Sequence, residues 1–388
     1  MLTSSSKILF YTKDLHGGTG RFLEHIQTEL SKRKVSTRVL THVLQEGHNV
    51  EAIRVGQASP KLRTFHFSSI KDTFINIFTI KRYIEDYKPD VIFSIDLYAN
   101  LLISLIRPFI PQSTVIQSTH VNLIAHVNQD RSKIVAGMIW ILIKSLYKFA
   151  DIHITPSKGL RRQLIKNLQL PSHFVQYYSN FISVEKCQQL SDEKLENELL
   201  NIRRSKRVRL FSAGRFELQK DFEQLLYSVS DTFYTDKKVE LYILGSGNQQ
   251  RELMDICKRH NLENVYFLGW QSNPYKYLKY ADIFLLITKY EAFPYSLLEA
   301  LSLGLPVIAS DVDFGPRELL GKNQYGLLLQ NNKPESIVSA IKSLIYNKQL
   351  ANEFKRKAKA RAAQFDTHII FPNYLKLFGI ANNSSNTK

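Results

Sequence analysis

In its most informative segment the chain reads Glu291-Ala-Phe-Pro-Tyr-Ser-Leu-Leu-Glu299 and then Ala300-Leu-Ser-Leu-Gly304-Leu-Pro306-Val-Ile-Ala-Ser310. Apolar runs predict buried strands at 283–287 and 307–309, and the pattern between them predicts a helix over 295–303. Glu291 therefore falls in the loop after a strand, and Glu299 falls about one turn into the helix. Ligands of open parallel sheets bind at such strand ends.

The two glutamates bracket a helix N-terminus that can bind an anion. We expect the N–H groups of Ser296, Leu297 and Leu298 at the helix start, where they can hold a phosphate group. Two carboxylates beside a phosphate are unfavourable unless they accept hydrogen bonds from hydroxyl groups. A sugar against one glutamate and a ribose against the other would supply such hydroxyls. A helix with one capping and one exposed glutamate is the simpler alternative.

Short apolar runs alternate with amphipathic segments along the whole chain, which indicates two parallel α/β halves joined near 180–205. In the first half, strands are predicted at 7–11, 36–41, 91–95, 113–118 and 151–154, and helices near 21–33, 70–87, 98–107, 132–149 and 157–168. In the second half, further strands are predicted at 208–212, 240–244 and 265–268, and further helices near 218–229, 248–260 and 274–280. The polar segment 185–206 is interpreted as the junction, and a last helix is expected near 367–380.

Two cations follow the first strand of the second half, in Gly214-Arg-Phe-Glu-Leu-Gln-Lys220. Arg215 offers a planar donor fork and Lys220 a point charge, and both precede a predicted helix. This combination suits a diphosphate, although two solvated surface cations would produce the same pattern. Gly245-Ser-Gly247 forms a tight turn after another strand, which is a weaker signal by itself.

Together these motifs resemble the GT-B glycosyltransferases of family 4, which are retaining enzymes that use nucleotide sugars. The Glu-x7-Glu pair, the Gly-Arg-x4-Lys segment, Gly-Leu-Pro-Val-Ile at 304–308 and a glycine loop at 17–20 cover nearly the whole chain in the family's order. The resemblance implies an α/β fold of two facing Rossmann-like domains with an interdomain cleft. The domain at 1–180 would bind the acceptor and the domain at 181–365 the nucleotide sugar. A C-terminal helix within 366–388 would cross back onto the first.

The resemblance also implies roles for individual residues. Arg215 and Lys220 would bind the donor diphosphate, and Glu299 would bind the ribose hydroxyls. Glu291 would contact the transferred sugar near the reacting centre. No metal ion or other cofactor is expected, because the two cations and helix N-termini would neutralise the leaving diphosphate.

The first half contributes a second predicted catalytic residue, His120. It follows the strand at 113–118, where the family places a histidine that reaches the donor sugar. His16, beside the first glycine loop, is interpreted as structural. Gly18 in that loop and Gly245 in the second half are expected on the donor side.

The sequence departs from the family pattern at several positions. Asp221 puts an acid beside the predicted phosphate site, and Ala292 and Pro294 replace the usual glycines, which stiffens the loop after Glu291. Gly315-Pro-Arg-Glu318 resembles members that build bacterial surface glycans, often from UDP-sugars and UDP-N-acetylhexosamines, so a UDP-linked donor is expected. A turn followed by a capped helix is the alternative interpretation of this segment. Asp311-Val-Asp313 has the Asp-x-Asp pattern of metal sites but follows the wrong strand.

The net charge of +17 points to an anionic partner. Residues 1–180 hold 23 basic and 12 acidic side chains, so most of the excess lies in the first half. There, Lys133, Lys144 and Lys148 fall on one side of a predicted apolar helix. Such a helix can lie at an anionic membrane interface. A core helix with one wet edge is the alternative.

These observations predict transfer of a hexose or N-acetylhexosamine to a glycan or glycolipid acceptor in cell-surface polysaccharide or lipopolysaccharide synthesis. A protein O-glycosyltransferase and a GT-B nucleotide-sugar epimerase are the enzymatic alternatives. A basic nucleic-acid-binding protein would not explain the paired glutamates, and no aromatic-basic RNA motif occurs, so no nucleic-acid partner is expected.

The remaining sequence features concern location. The two cysteines cannot form a disulfide framework, and no apolar segment is long enough to span a bilayer. No signal peptide is recognised at the N-terminus. We therefore expect a cytoplasmic protein that could contact the inner face of the cytoplasmic membrane.

Overall fold

The computed structural model describes residues 6–43, 50–55, 70–128, 132–195, 202, 205–230 and 239–380. The chain divides into two compact units, one of Met1–Asn180 with Ile370–Lys388 and one of Phe181–Ile369. Each unit is built on one parallel sheet with helices between its strands. The predicted α/β class is therefore confirmed.

Unit 1, the first of these, contains a seven-stranded sheet in the order β3-β2-β1-β4-β5-β6-β7. Its strands are β1 (Lys7–Asp14), β2 (Ser36–Val43), β3 (Ala52–Arg54), β4 (Val91–Ile95), β5 (Thr114–Ser118), β6 (Ile152–Thr155) and β7 (Val175–Tyr177). Its helices are α1 (Gly18–Ser31), α2 (Ile70–Tyr87), α3 (Leu97–Ile106), α4 (Leu123–Asn128), α5 (Lys133–Leu146) and α6 (Lys158–Leu168). All five residues of β4 are buried, as expected for a parallel strand covered by helices on both faces.

Unit 2 contains a six-stranded sheet in the order β10-β9-β8-β11-β12-β13. Its strands are β8 (Val208–Ala213), β9 (Val239–Leu244), β10 (Val265–Gly269), β11 (Ile283–Leu286), β12 (Val307–Ser310) and β13 (Leu327–Leu329). Its helices are α7 (Val184–Ser191), α8 (Phe222–Val229), α9 (Gln250–Arg259), α10 (Tyr275–Leu278), α11 (Tyr295–Ser302), α12 (Pro316–Leu320), α13 (Pro334–Tyr346) and α14 (Lys348–Ala363).

The last helix, α15 (Thr367–Leu377), contributes its residues from Ile370 onward to unit 1. The ring centroid of Tyr374 lies 5.7 Å from that of Phe22 on α1. The Tyr374 hydroxyl lies 3.2 Å from the carbonyl oxygens of both Tyr178 and Ser179, which it can reach as a donor. A large buried aromatic side chain with a bonded hydroxyl anchors the helix on the sheet.

Three differences from the sequence predictions have a clear local cause. The helix predicted over 218–229 is broken at Asp221, whose φ of 44° is left-handed, so a 3-10 turn at Leu218–Lys220 precedes α8. The segment 185–206 is not simply a polar junction, because α7 occupies its first residues and is capped by Ser183. Strands β3, β7 and β13 were not predicted, since each has only three residues. Helices α4, α7, α13 and α14 were also missed, whereas α12 agrees with the alternative of a turn and a helix at 315–318.

Both sheets reverse their strand order at one place. In unit 1 the reversal lies between β1 and β4, and in unit 2 it lies between β8 and β11. The crevice beyond the carboxyl ends of the strands at such a switch point is where open α/β sheets bind ligands. A ligand site formed by the sequence motifs would therefore lie at one of these two switch points.

Candidate functional site

In unit 2 the loops that follow β8 and β11 meet in an ion pair between Lys220 and Glu291. Lys220 Nζ donates to Glu291 Oε1, and only 14% and 7% of the two side chains are exposed. Thr288 Oγ1 lies 3.3 Å from the same oxygen. The residues that the family resemblance assigns to the diphosphate and to the sugar thus touch each other at the switch point of the sheet.

Side-chain amides fix the loop that carries Glu291. Gln219 Nε2 donates to the carbonyl oxygen of Tyr290 at 2.7 Å, and Asn332 Nδ2 donates to that of Thr288 at 3.0 Å. Asn332 Oδ1 in turn accepts from Ser310 Oγ at 2.6 Å. The loop that carries Glu291 is therefore held by Gln219, which follows β8, and by Asn332, which follows β13, and this limits the movement of the carboxylate.

Asp221 is occupied by partners of its own. Its buried carboxylate accepts from Asn332 Nδ2 at 2.8 Å and pairs with Lys289 Nζ at 3.5 Å. The acid that the sequence placed beside the phosphate site is thereby compensated by a cation and an amide. Its role in the structure is to orient Asn332 and the loop after β11.

Arg215 lies on the exposed side of the loop after β8, and in the described part of the chain no side chain pairs with its guanidinium. This loop packs backbone to backbone on the turn after β9. The N–H of Phe216 donates to the carbonyl of Ser246 at 2.9 Å, and the N–H of Gly214 donates to that of Leu244 at 3.0 Å. Such close packing leaves little room for side chains in the turn.

Gly245 is a residue that this close approach requires. Its φ is 143°, and a Cβ at this position would lie 1.9 Å from the carbonyl oxygen of Gly214. No flexible side chain can move aside to relieve that contact, because the opposing atom is backbone. Gly245 therefore shapes the loop that presents Arg215, rather than marking only the start of a helix.

We expect Gly245→Ala to destabilise unit 2 by roughly 3 kcal/mol or more, since overpacking against backbone adds to the strain of a positive φ. The matched control is Gly269→Ala, at a φ of 70° with no atom within 4 Å of the added Cβ. This control should lose only the conformational term, about 1–2 kcal/mol. Urea unfolding measures the free energy of unfolding of both variants. Equal losses of stability would contradict the predicted clash between the added Cβ and the backbone.

The N-terminus of α11 lies between the two glutamates of the motif and has no side-chain cap. The N–H of Leu298 donates to the carbonyl of Pro294 at 3.3 Å, so it is used within the helix. Ser296 and Leu297 precede this first intrahelical bond, and their N–H groups point out of the helix start. These two groups, together with the helix dipole, favour an anion at this end.

Glu299 is buried on α11 and is oriented by a residue that the sequence did not indicate. The Tyr275 hydroxyl donates to Glu299 Oε1 at 3.0 Å. Tyr275 is the first residue of α10, and its N–H donates to Asn273 Oδ1 at 3.0 Å. The Ser272-Asn273-Pro274 segment is a recognisable helix start, but nothing in it indicates a contact with α11.

In unit 1 the switch point is organised by Asp96, which the sequence analysis also missed. Its carboxylate accepts from Thr12 Oγ1 and from the N–H of Lys13, each at 2.8 Å, and from the N–H of Ala99 at 2.9 Å. Burial raises the pKa of Asp96 to about 6, although the N–H groups of Ala99 and Lys13 act in the opposite direction. Gly18 begins α1 just after the strand that Asp96 holds in place.

His120 follows β5 at the carboxyl edge of the same sheet. Its ring centroid lies 5.0 Å from that of Phe22. Burial lowers the pKa of His120 to about 4, so the imidazole is neutral at pH 7 and can exchange hydrogen bonds without carrying charge. His16 contacts Asp14, with its N–H donating to Asp14 Oδ1 at 3.0 Å, in the local arrangement of a turn.

The helix α5 presents an apolar and basic face to solvent. Ile134 is 77% exposed and Ile141 is 67% exposed, and Lys133 and Lys144 of this helix are exposed as well, as is Lys148 in the turn that follows it. Only Ala136, Ile139 and Ile143 of this helix are buried. The alternative of a core helix with one wet edge therefore does not describe α5.

A neighbouring patch of unit 1 has the same composition. Phe78 on α2 and Phe109, just after α3, are both exposed, and Lys81 Nζ lies 5.8 Å above the Phe109 ring. Helix α3 packs against both α2 and α5. The exposed apolar side chains of unit 1 thus occur on neighbouring helices and are accompanied by lysines.

The described residues contain neither a metal-binding cluster nor a membrane-spanning helix. Within the described ranges, no group of three His, Cys, Asp or Glu side chains is arranged to hold a metal ion. Asp311 of the Asp-x-Asp pattern is paired with Arg317, at 2.7 Å from Oδ1 to Nε. Within those ranges, too, no helix combines the length and the apolar character needed to cross a bilayer.

Two family models match the chain in succession. Residues 16–186 match the model described as Glycosyltransferase Family 4, and residues 197–361 match the one described as Glycosyl transferases group 1. The two segments together leave only the ends and a short junction unmatched.

The curated relatives include an uncharacterised glycosyltransferase of Methanocaldococcus jannaschii, 30% identical over 260 residues, which are 66% of this chain and 62% of the relative. Another is the Campylobacter jejuni N-acetylgalactosamine-N,N'-diacetylbacillosaminyl-diphospho-undecaprenol 4-alpha-N-acetylgalactosaminyltransferase, 32% identical over 238 residues, or 61% of this chain and 62% of the relative. The chain thus spans less than two thirds of the length of these relatives.

Among solved structures, Anabaena HepE in complex with UDP-glucose has a TM-score of 0.76 at 17% identity, covering 96% of this chain and 99% of that one. At this identity the likeness concerns the fold alone. It extends over both units of the chain.

Proposed function

Because the chain belongs to the glycosyl transferases of group 1 and family 4, we propose that it transfers a hexose or N-acetylhexosamine from a UDP-sugar to a glycan or glycolipid acceptor. The acceptor would belong to a cell-surface polysaccharide or lipopolysaccharide. The named activity of the Campylobacter jejuni relative, on an acceptor linked to diphospho-undecaprenol, supports this acceptor class. The UDP-glucose complex of HepE supports the donor class.

The observation that carries the proposal is the contact between Lys220 and Glu291 beside the uncapped N-terminus of α11. Lys220, Arg215 and the N–H groups of Ser296 and Leu297 form a cationic, donor-rich site for a diphosphate. Glu291 accepts hydrogen bonds from sugar hydroxyls, and Glu299 from ribose hydroxyls. Each charge on the site then has a partner in the bound donor.

Transfer requires that negative charge on the leaving diphosphate be stabilised as the glycosidic bond breaks. Lys220 and Arg215 do this directly in the proposed mechanism, so no metal ion is required. The reaction retains the anomeric configuration, because Glu291 is bound to the cation that holds the leaving group. His120 is the proposed second catalytic group, acting as a neutral hydrogen-bonding imidazole.

Ligand-dependent stability tests the proposal without knowledge of the acceptor. A ligand that binds only the folded state raises the melting temperature according to its affinity. We expect UDP and at least one UDP-hexose or UDP-N-acetylhexosamine to raise it, with ADP as the nucleotide control. Slow release of UDP from the same sugar in water should continue in EDTA. The absence of any UDP effect would contradict the donor assignment, and a strict metal requirement would contradict the mechanism.

The acceptor class makes a membrane surface the natural location of the reaction, and we propose that α5 and its neighbours bind the cytoplasmic face of an anionic bilayer. Exposed isoleucines at 134 and 141 would enter the interface, while Lys133, Lys144 and Lys148 would lie near the head groups. The excess of basic residues in the first 180 residues also favours binding to an anionic surface.

Changing Lys133, Lys144 and Lys148 together to Glu should weaken binding to vesicles with anionic lipids. Each lysine near such a surface contributes about 1 kcal/mol, so the loss should exceed 100-fold. Co-sedimentation with phosphatidylglycerol vesicles measures it. The matched control changes three exposed lysines of unit 2, Lys333, Lys348 and Lys355, to Glu. Equal losses in both variants, or no binding by the unchanged protein, would remove the assignment to α5.

A further inference from the structure

Unit 1 has a cavity of about 280 Å³ at the carboxyl end of β7, lined by residues 176–179 and by Ile370, Asn373 and Lys376 of α15. We propose that this cavity binds a sugar ring of the acceptor, distinct from the ring that receives the transferred sugar. The inference deepens the proposed function and rests on it. No residue of the cavity belongs to the sequence motifs.

The composition of the wall favours a carbohydrate. Tyr177 and Tyr178 contribute aromatic rings, one lying 5.6 Å from Lys158 Nζ and the other packed on Tyr374. Gln176, whose Nε2 lies 3.4 Å from the carbonyl oxygen of His173, and Asn373 contribute amides, whose oxygen atoms can accept and whose NH₂ groups can donate. Sugars present alternating C–H faces and hydroxyl groups, which such rings and amides match. The volume lies just below the usual range for ligand sites, which suits one ring rather than a lipid chain.

The position of the cavity favours the acceptor. Sheet order places β7 two strands from β5, the strand that leads to His120. With strands spaced about 4.8 Å apart, the two strand ends are separated by about 10 Å along the same edge of the sheet. A linear glycan lying along this edge would have one ring near His120 and a more distant ring in the cavity.

Packed aromatic side chains connect the cavity wall to His120. The Phe22 ring lies between His120, at 5.0 Å, and Tyr374, at 5.7 Å between centroids. The Tyr374 hydroxyl reaches the carbonyl oxygens of Tyr178 and Ser179, which belong to the wall of the cavity. The wall is therefore fixed to the same aromatic cluster as His120, so the two subsites would keep a constant spacing.

The test uses the full chain and an array of defined oligosaccharides from bacterial surface glycans, from one to four sugars long. We expect the unchanged protein to retain at least one glycan of two or more sugars. Gln176→Ala combined with Asn373→Ala should weaken that binding about tenfold, since two hydrogen bonds are lost. Asn373→Trp, which fills the cavity from an exposed position, should abolish it.

The control combines Gln112→Ala with Asn167→Ala, which removes the same two amide types from unit 1 outside the cavity. Retention of no glycan at all, or equal retention by the cavity and control variants, would overturn the inference. The effect of UDP on the melting temperature separates the two proposals. If the glycan test fails but UDP still stabilises every variant, only the acceptor subsite is refuted, whereas the absence of a UDP effect in the unchanged protein refutes the proposed function itself.

Discussion

Replacing Arg215 with alanine should slow sugar transfer about 100-fold without changing the melting temperature. The guanidinium is exposed and unpaired within the described residues, so its removal leaves no buried charge behind. Its proposed partner is the diphosphate, whose charge grows in the transition state. Losing one such interaction costs about 3 kcal/mol in activation free energy, which corresponds to the expected change in rate.

Lys220→Ala should have the same effect on transfer, but it should also destabilise the fold. It leaves the buried Glu291 carboxylate without its cation, and breaking a buried pair in this way is strongly unfavourable. Comparison of Lys220→Ala with Arg215→Ala therefore separates a direct role in the reaction from a role in folding. The rate of UDP release and the free energy of unfolding give the two readouts.

Matched controls exist for both cations. Arg251 is an exposed arginine on α9, and Lys258 is an exposed lysine on the same helix, outside the loops after β8 and β11. Alanine at either position should leave transfer within about threefold of the unchanged enzyme, as expected for surface charges. Turnover of Arg215→Ala and Lys220→Ala at the level of these controls would remove the diphosphate assignment.

The sequence predicted the parts of the site that depend on local pattern. Strand ends, a helix start and glycine turns are encoded over a few residues, and so the Lys220 and Glu291 loops could be placed after β8 and β11. The contact between these two residues joins positions 71 apart in the chain. No periodicity in a single sequence indicates a contact between residues so far apart. The contact forms because β8 and β11 are neighbours at the switch point of the sheet, which brings their two loops together.

The residues that were missed act through long-range contacts. Asn332 follows the short strand β13 and reaches Asp221, 111 residues away. Tyr275 orients Glu299 from a four-residue helix. Asp96 has a φ of 82°, and its role depends on packing between β1 and β4. Each is a common polar or aromatic side chain whose meaning comes from its neighbours in space, not along the chain.

Glu291→Gln should lower turnover about 100-fold while leaving the affinity for UDP within about threefold. UDP lacks the transferred sugar, so the proposed hydroxyl contacts of Glu291 do not contribute to its binding. The neutral amide frees Lys220 from its ion pair, which if anything favours the diphosphate. A residue that acts mainly on the reacting sugar lowers kcat more than it weakens nucleotide binding. Equal losses in both quantities would indicate that Glu291 serves only the fold of the loop.

The position of Glu291 also predicts the stereochemistry of the product. Its carboxylate is bound to the Lys220 ammonium, the group proposed to hold the leaving diphosphate, so in the proposed complex it would lie on the leaving-group side of the sugar. From there it cannot remove a proton from an acceptor that attacks the opposite face. The acceptor would instead attack from the side of departure and pass its proton to the diphosphate oxygen. An α-linked donor should therefore give an α-linked product, which the anomeric proton signal in NMR reports directly. A β linkage would require a base on the face of the sugar opposite the leaving group, and it would contradict the proposed role of Glu291.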